Sequence, residues 1–223
     1  NADIELLAEN EKRAKEVFLK RAAALTQARM KAAQDLSKAV TDEMQHLSMT
    51  GGCLQITLPQ CDPWAGGMER CEFLVSGHAG ATPRPLTKVA SGGELARISL
   101  AIAVITAQIT PVPTLIFDEV DSGIGGAVAE VVGRLLRRLG HNRQVLCVTH
   151  LPQVAACANN QWLVQKETHD EVTTSSLRPL SDEERIREIA RMAGGLQITD
   201  ATLKSAQELI ESAKRADGNV DKN

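Results

Sequence analysis

The sequence predicts an α/β domain preceded by one long helix. Residues 2 to about 48 contain no Gly or Pro and are rich in Ala, Glu, Lys, Leu and Gln, which is the composition of a helix. Farther along, two short apolar runs, at residues 114–118 and 144–149, alternate with segments of helical pattern, as in an α/β fold. Hydrophobic residues make up 43% of the chain, which is enough for a packed core.

The first segment predicts a single helix of coiled-coil type. Ile4 and Leu7 open a heptad stripe of eleven a and d positions, eight of them apolar. Glu11, Arg21 and Asp35 interrupt this stripe. Such a helix would reach roughly 70 Å, too long to pack wholly on one small domain, so we expect a partner helix. An ordinary amphipathic helix lying on the globule is the alternative. After Asp35 the stripe shifts to Leu36, Val40, Met44 and Leu47.

Turn residues and apolar runs predict the remaining elements. The Gly51-Gly52 pair ends the helix. We therefore divide the chain into a coiled-coil stub at 1–50, a lobe at 51–215 and a polar, frayed tail at 216–223. Within the lobe we expect a hairpin-like strand pair at 54–58 and 71–76, helices at 92–109 and 126–139, a late hairpin at 162–166 and 172–177, and closing helices at 182–192 and 199–214.

Composition and charge narrow the possible functions. Aromatic residues are only 2%, so base stacking cannot be a main mode of nucleic-acid binding. The net charge of −3 gives no global attraction to DNA, and the densest basic group, at residues 134–143, is more simply a solvated helix face. Five cysteines without a C-x-x-C argue against a disulfide framework and a zinc site. Without a secretory signal or a membrane-spanning apolar run, we expect a cytoplasmic protein with no membrane partner.

The strongest chemical signal is a strand that ends in acids. Residues 114–117 read TLIF and run straight into Asp118 and Glu119, with Asp121 close behind. Asp118 is placed to bind Mg²⁺ through water, since this cation takes oxygen ligands. Glu119 is placed to orient and deprotonate an attacking water. Three acids at the end of a strand that we expect to be buried repel each other unless a cation or polar partners compensate. The usual companion of such a strand, a G-x-x-x-x-G-K-[ST] phosphate loop, is not found in these 223 residues.

A second signal is the run Ser91-Gly92-Gly93-Glu94. Ser91 and Glu94 have the spacing of a capping box at a helix start. Two adjacent glycines cost helix propensity, which suggests that a ligand approaches the backbone closely. Because the free N–H groups of a helix N-terminus attract anions, a phosphate is expected there. His150 directly follows the second apolar run. Because the other two motifs indicate a phosphate and an attacking water, His150 is a candidate to contact the γ-phosphate or that water.

The order of these motifs resembles the C-terminal half of an ABC-type ATPase head. Three segments are more specific and resemble the RecN family of SMC-like bacterial DNA repair proteins. They read KVASGGELAR at 88–97, IFDEVDSGIGG at 116–126 and VTHLPQV at 148–154. The similarity covers nearly the whole chain. It implies the C-terminal lobe of an ABC-type (P-loop NTPase) head that carries a long N-terminal coiled-coil helix.

The resemblance also implies two shared surfaces. Ser91, Gly92 and Gly93, with Glu94 of the same motif, would contact the γ-phosphate of an ATP held by an opposing head. Asp121 would belong to a loop that crosses the interface between the two heads. The second head, in a homodimer, is therefore an expected partner.

The same resemblance assigns the chemistry. Asp118 would support Mg²⁺, Glu119 would be the catalytic base, and His150 would be the switch histidine. In this family the phosphate loop lies in the N-terminal half, before the coiled coil. The chain would therefore need that half as a partner to bind and hydrolyse ATP, and would be inactive alone.

The resemblance implies that the complete protein uses ATP to dimerise its heads. These heads would act on broken DNA, at ends or single-stranded regions, and the protein would be associated with the nucleoid. Two alternatives remain. One is the ATPase lobe of another SMC-like protein, Rad50-like or RecF-like. The other is a non-catalytic coiled-coil interaction module, against which the adjacent strand-end acids Asp118 and Glu119 argue.

Overall fold

The computed structural model describes residues 2–89, 91–107, 109, 112–169, 172–194 and 198–217. Of the predicted frayed tail, residues 218–223 lie outside the described residues, whereas 216 and 217 belong to the last helix. The chain forms two compact units, one of residues 1–45 and 49–89 and one of residues 46–48 and 90–223. This division differs from the predicted boundary at residue 50, because the first helix packs on the strands that follow it. The assignment of 51–215 to one functional lobe stays a prediction.

In the first unit, helix α1 spans Ala2–Gln45, as its composition predicts. Val40 and Met44 are fully buried, which agrees with the apolar stripe predicted after Asp35. Before that point the buried positions are Ala22 and Ala33, a different face from the predicted heptad, because this face packs on strands of the same unit. The predicted heptad face, including Leu25, is largely exposed, and its partner helix stays a prediction.

Strands β1 (Cys53–Thr57), β4 (Glu72–Ser76) and β5 (Arg84–Pro85) form an antiparallel sheet in the order β1-β4-β5. The pairing of β1 with β4 confirms the predicted strand pair. The free edge of β1 bonds to hydroxyl groups of α1. Leu54 N donates to Thr41 Oγ1 at 3.0 Å, and Ile56 N donates to Ser37 Oγ at 3.1 Å. Side chains of the helix thus satisfy backbone groups that a further strand would otherwise bond.

A small hairpin lies between β1 and β4, formed by β2 (Gln60–Trp64) and β3 (Gly67–Glu69). The turn residues Pro63, Gly66 and Gly67 predict only a connection between β1 and β4 here. Glu69 is buried, accepts a short hydrogen bond from Thr26 Oγ1 and lies 3.4 Å from Arg29 Nη1. Arg29 also donates to the carbonyl of Gly66 at 2.7 Å. These bonds fix the hairpin on α1.

The second unit is built on a β-α-β arrangement. Helix α2 (Gly92–Ile105) precedes β6 (Thr114–Phe117), α3 (Gly126–Leu139) and β7 (Gln144–Cys147). Strands β6 and β7 are parallel, with Phe117 opposite Cys147. Their carboxyl ends therefore meet at one edge, where Val148 N donates to Phe117 O at 3.0 Å. Helix α2 ends at Ile105, four residues earlier than predicted.

One face of the β6–β7 pair is uncovered in the part of the chain that the structure describes. Ile116 is 70% exposed, Leu146 48% and Val148 62%. The expectation of a buried strand is therefore wrong for this chain, because only the alternate residues, such as Phe117, point towards a packed interior.

The second unit closes with a helical cluster. Helix α4 (Pro152–Cys157) is followed by the antiparallel hairpin β8 (Trp162–His169) and β9 (Val172–Pro179), then by α5 (Asp182–Gly194) and α6 (Asp200–Asp217). Small and branched residues of α4, α5 and α6 share a core made of Ala155, Ala156, Ile189, Ala190, Ala206 and Ile210. Among the described helices, none combines the length and apolar character needed to span a bilayer.

Candidate functional site

The end of β6 turns sharply at the paired acids. Glu119 has φ +58°, a left-handed conformation that costs a non-Gly residue roughly 1–2 kcal/mol. Its N–H donates to Asp118 Oδ1 at 2.9 Å, and its carbonyl accepts from Ser122 N at 3.0 Å. Both acidic side chains are exposed. The turn thus presents two carboxylates to solvent at the carboxyl edge of the parallel pair.

The N-terminus of α2 lies against this turn. Ser91 is the N-cap of α2, and its Oγ accepts from Glu94 N at 3.3 Å, which confirms the predicted cap. A Cβ placed on Gly92 would lie 2.3 Å from Glu119 Oε2. The structure therefore brings Gly92 and Glu119 of the same chain together. The two motifs were expected to face different nucleotides across a dimer interface.

Arg97 ties α2 to the loop that follows the acids. Its guanidinium is buried, and Nη1 donates to Ser122 O at 2.7 Å. Burial lowers the pKa of Arg97, which the nearby Glu94 partly opposes. A Cβ on Gly93 would approach Ser122 Cβ and Ser122 O to 3.0 Å each, so a larger residue here would have to push Ser122 away by a few tenths of an ångström. Arg97 was not predicted as a site residue, because an arginine on a helix is ordinarily exposed.

Asp121 connects the loop after β6 with the loop after β7. Its side chain is only 2% exposed. Its Oδ2 accepts from Thr149 Oγ1 at 2.5 Å and from His150 N at 3.0 Å, and lies 3.3 Å from His150 Nδ1. The carboxylate that was expected in an interface-crossing loop is thus turned inward within this chain. Hydrogen-bond donors compensate the buried charge, as the cluster of acids requires.

These acids also affect a neighbouring thiol. The side chain of Cys147 lies at the end of β7, beside the same edge. Burial, together with the smaller effect of the nearby Asp121 and Asp118, raises the pKa of Cys147 to about 12. The thiol is therefore protonated at neutral pH and is a poor nucleophile.

Two arginines hold the short helix α4, which begins two residues after His150. Arg185 is buried, and its Nη2 donates to three carbonyls near the end of α4, namely Ala155 O at 3.1 Å, Ala156 O at 3.0 Å and Ala158 O at 2.5 Å. Arg137 Nη1 donates to Cys157 O at 3.1 Å. Arg137 belongs to the basic group in the sequence, so part of that group bonds within this unit.

The donor set fits a magnesium ion held mainly by water and phosphate. Among the described residues, no group of three or more His, Cys, Asp and Glu side chains could hold a metal by itself. Asp118 is exposed at the strand end and is free to offer a carboxylate oxygen. One carboxylate suits Mg²⁺, which dehydrates reluctantly and completes its octahedron with waters and substrate oxygens.

Known proteins resemble this chain in sequence. DNA repair protein RecN of Vibrio cholerae is 47% identical over 200 residues, covering 89% of this chain and 36% of that protein. DNA repair protein RecN of Haemophilus influenzae is 46% identical over 209 residues, covering 93% of this chain and 38% of that protein. The chain thus spans just over a third of the length of these relatives. No protein-family model matches it.

A solved structure shows the same fold. The Smc head domain with a coiled coil and joint from Pyrococcus yayanosii superimposes with a TM-score of 0.53 at 24% identity. The match covers 85% of this chain and 33% of that one. The chain therefore has the fold of part of an Smc head domain, in agreement with the predicted C-terminal lobe of a head with a long N-terminal helix.

Proposed function

Because this chain is homologous over most of its length to bacterial DNA repair proteins of the RecN family, we propose that it is the C-terminal ATPase lobe of an SMC-like DNA repair protein. One observation carries the proposal. The glycine-rich start of α2 lies against Glu119, at the end of a parallel strand. This contact joins a helix N-terminus, which favours anions, to a carboxylate that can accept a proton.

We assign the hydrolytic chemistry to the two strand-end acids. Asp118 would hold Mg²⁺, and the bound ion would neutralise charge on the phosphates. Glu119 would take the proton of the attacking water. Its carboxylate is exposed, and its position is set by the left-handed turn below it and by Gly92 beside it. No side chain can fill the space over Gly92 without moving this base.

We assign phosphate recognition to the start of α2. The γ-phosphate of an ATP carried by a second head would be bound by Ser91, Gly92 and Gly93, with Glu94 completing the cap. Ser91 and Gly92 are exposed, so another molecule can reach them.

His150 and Asp121 complete the proposed site. His150 would be the switch residue that reaches the γ-phosphate, and its side chain is 68% exposed. Asp121 belongs to the loop of residues 118–125, which we place at the interface between two heads. Its own carboxylate faces His150 rather than solvent.

We propose two further partners. The N-terminal half of the protein would supply the phosphate loop and cover the apolar face formed by Ile116, Leu146 and Val148, since an open face of this kind marks an interaction surface. Broken DNA, at ends or single-stranded regions, would be the target of the assembled heads, and the protein would work in the cytoplasm on the nucleoid. The homology to RecN proteins supports this assignment.

The test is Glu119→Gln in the full-length protein. The variant keeps the size of the side chain but removes the base. We expect ATP binding to persist and hydrolysis to slow by ~10²–10⁴. Glu130→Gln, on the surface of α3, is the matched control and should leave the rate unchanged. A near-normal rate for Glu119→Gln in a single-turnover assay would remove Glu119 from the role of base.

A further inference from the structure

We infer that Asp121 and Thr149 form a positioning pair that fixes His150. This inference rests on the role proposed for His150. Asp121 is 2% exposed, and a carboxylate buried to this extent is costly unless donors surround it. Two donors come from the residues that follow the neighbouring strand β7. They are Thr149 Oγ1 at 2.5 Å and His150 N at 3.0 Å, and both reach the same oxygen, Oδ2.

The pair fixes the backbone on both sides of His150. Strand β7 ends at Cys147, so the sheet ladder no longer holds the chain at residue 150. Asp121 accepts the His150 N–H, and Thr149 Oγ1 accepts the Leu151 N–H at 3.1 Å. Two consecutive amides are therefore bonded to side chains of the pair. Leu151 is the N-cap of α4, so the pair bonds to the two residues that lead into this helix.

The pair also orients the imidazole ring. His150 Nδ1 lies 3.3 Å from Asp121 Oδ2, although the ring itself is largely exposed. The partner of one ring nitrogen determines which nitrogen remains for other contacts. With Nδ1 against the buried carboxylate, Nε2 is the nitrogen that faces away from the protein. A phosphate or a water would therefore meet Nε2.

Thr149 offers a clean test, because Val has nearly the same shape and lacks the hydroxyl. In the full-length protein, Thr149→Val should lower kcat for ATP hydrolysis by roughly tenfold, the lower end of the range for a lost hydrogen bond to a charged group, and change KM much less. Thr149→Ser keeps the hydroxyl and should restore most of the rate. Hydrogen exchange of the peptide spanning residues 149–157 provides a second readout, and Thr149→Val should accelerate it by roughly tenfold.

The two readouts separate this inference from the proposed function. If the wild-type full-length protein hydrolyses no ATP, the proposed function fails, while hydrogen exchange still tests the pair. Equal hydrogen exchange in Thr149→Val and in the wild type would refute the inference that Asp121 and Thr149 hold this segment. Faster exchange with unchanged kcat would overturn its positioning role. Failure of Thr149→Ser to restore the rate would also overturn it, because the hydroxyl would not be the group that matters.

Discussion

Replacing Gly92 by Ala should slow ATP hydrolysis without lowering stability. A Cβ at this position would lie 2.3 Å from Glu119 Oε2 and 3.5 Å from Glu119 Cδ. Ordinary van der Waals contact begins at 3.4 Å, so the carboxylate oxygen would have to retreat by about 1 Å. A misplacement of ~1 Å at a reacting group can cost ~10² in rate. We therefore expect the full-length Gly92→Ala protein to hydrolyse ATP roughly a hundredfold more slowly.

The expected effect on stability has the opposite sign. The atom that the new Cβ would meet is Glu119 Oε2, at the far end of an exposed, flexible side chain that moves at little cost. Ala also gains as much as ~1 kcal/mol of helix propensity over Gly, and less than that in a first turn. Gly93→Ala is the matched control. Its Cβ would meet Ser122 Cβ and Ser122 O at 3.0 Å and the Arg97 guanidinium at 3.2 Å. We expect that variant to lose about 1–3 kcal/mol, as for other overpacked sites.

Two measurements decide the matter. Urea unfolding of each variant gives the change in free energy of unfolding, and a single-turnover assay of the full-length proteins gives the rate of hydrolysis. Gly92→Ala should retain wild-type stability and lose rate, whereas Gly93→Ala should lose stability. A Gly92→Ala protein that hydrolyses ATP at the wild-type rate would refute the placement of Glu119 over Gly92. Destabilisation equal to that of Gly93→Ala would refute it as well.

Two further predictions concern α4 and the dimer. Arg185→Met removes the donor to three carbonyls at the end of α4 and should lower the free energy of unfolding by about 2–3 kcal/mol. Arg187→Met, at an exposed position of α5, is the control, and equal losses in urea unfolding would contradict this role of Arg185. Ser91→Arg places a bulky cation at the exposed start of α2 and should block ATP-dependent dimerisation of the full-length protein while ATP binding persists. Light scattering with and without ATP measures the dimerisation. Ser91→Thr keeps the helix cap and is the control. A Ser91→Arg protein that still dimerises with ATP would contradict the proposed interface at the start of α2.

Local chemistry made much of the fold predictable. The bounds of α3, at residues 126–139, agree with the prediction, because an apolar stripe lies between turn glycines there. The Ser91 cap formed as the S-x-x-E pattern indicates. The carboxyl edge of β6 could also be placed, since apolar β-formers give way abruptly to Asp118 and Glu119. Each of these features depends on residues that are close in sequence.

The missed features depend on contacts between distant residues. Arg185 bonds to carbonyls about thirty positions earlier in the chain, and no local pattern marks a helix arginine as buried. Thr149 had a weak signal, a hydroxyl residue between an apolar run and a histidine, but its partner Asp121 lies on another loop. The hairpin β2–β3 was missed because Pro63 and the glycines nearby indicate a turn. Its attachment to α1 through Glu69 could not be seen locally.

The left-handed backbone of Glu119 has an evolutionary consequence. Glycine would adopt φ +58° without the strain that glutamate bears, so the fold gives up roughly 1–2 kcal/mol to keep a carboxylate at this turn. Selection for stability alone would favour glycine at position 119, and the role that we propose for Glu119 as catalytic base would oppose it. A related sequence with glycine there, and with the remaining motifs intact, would identify a head that still folds and docks but has given up turnover.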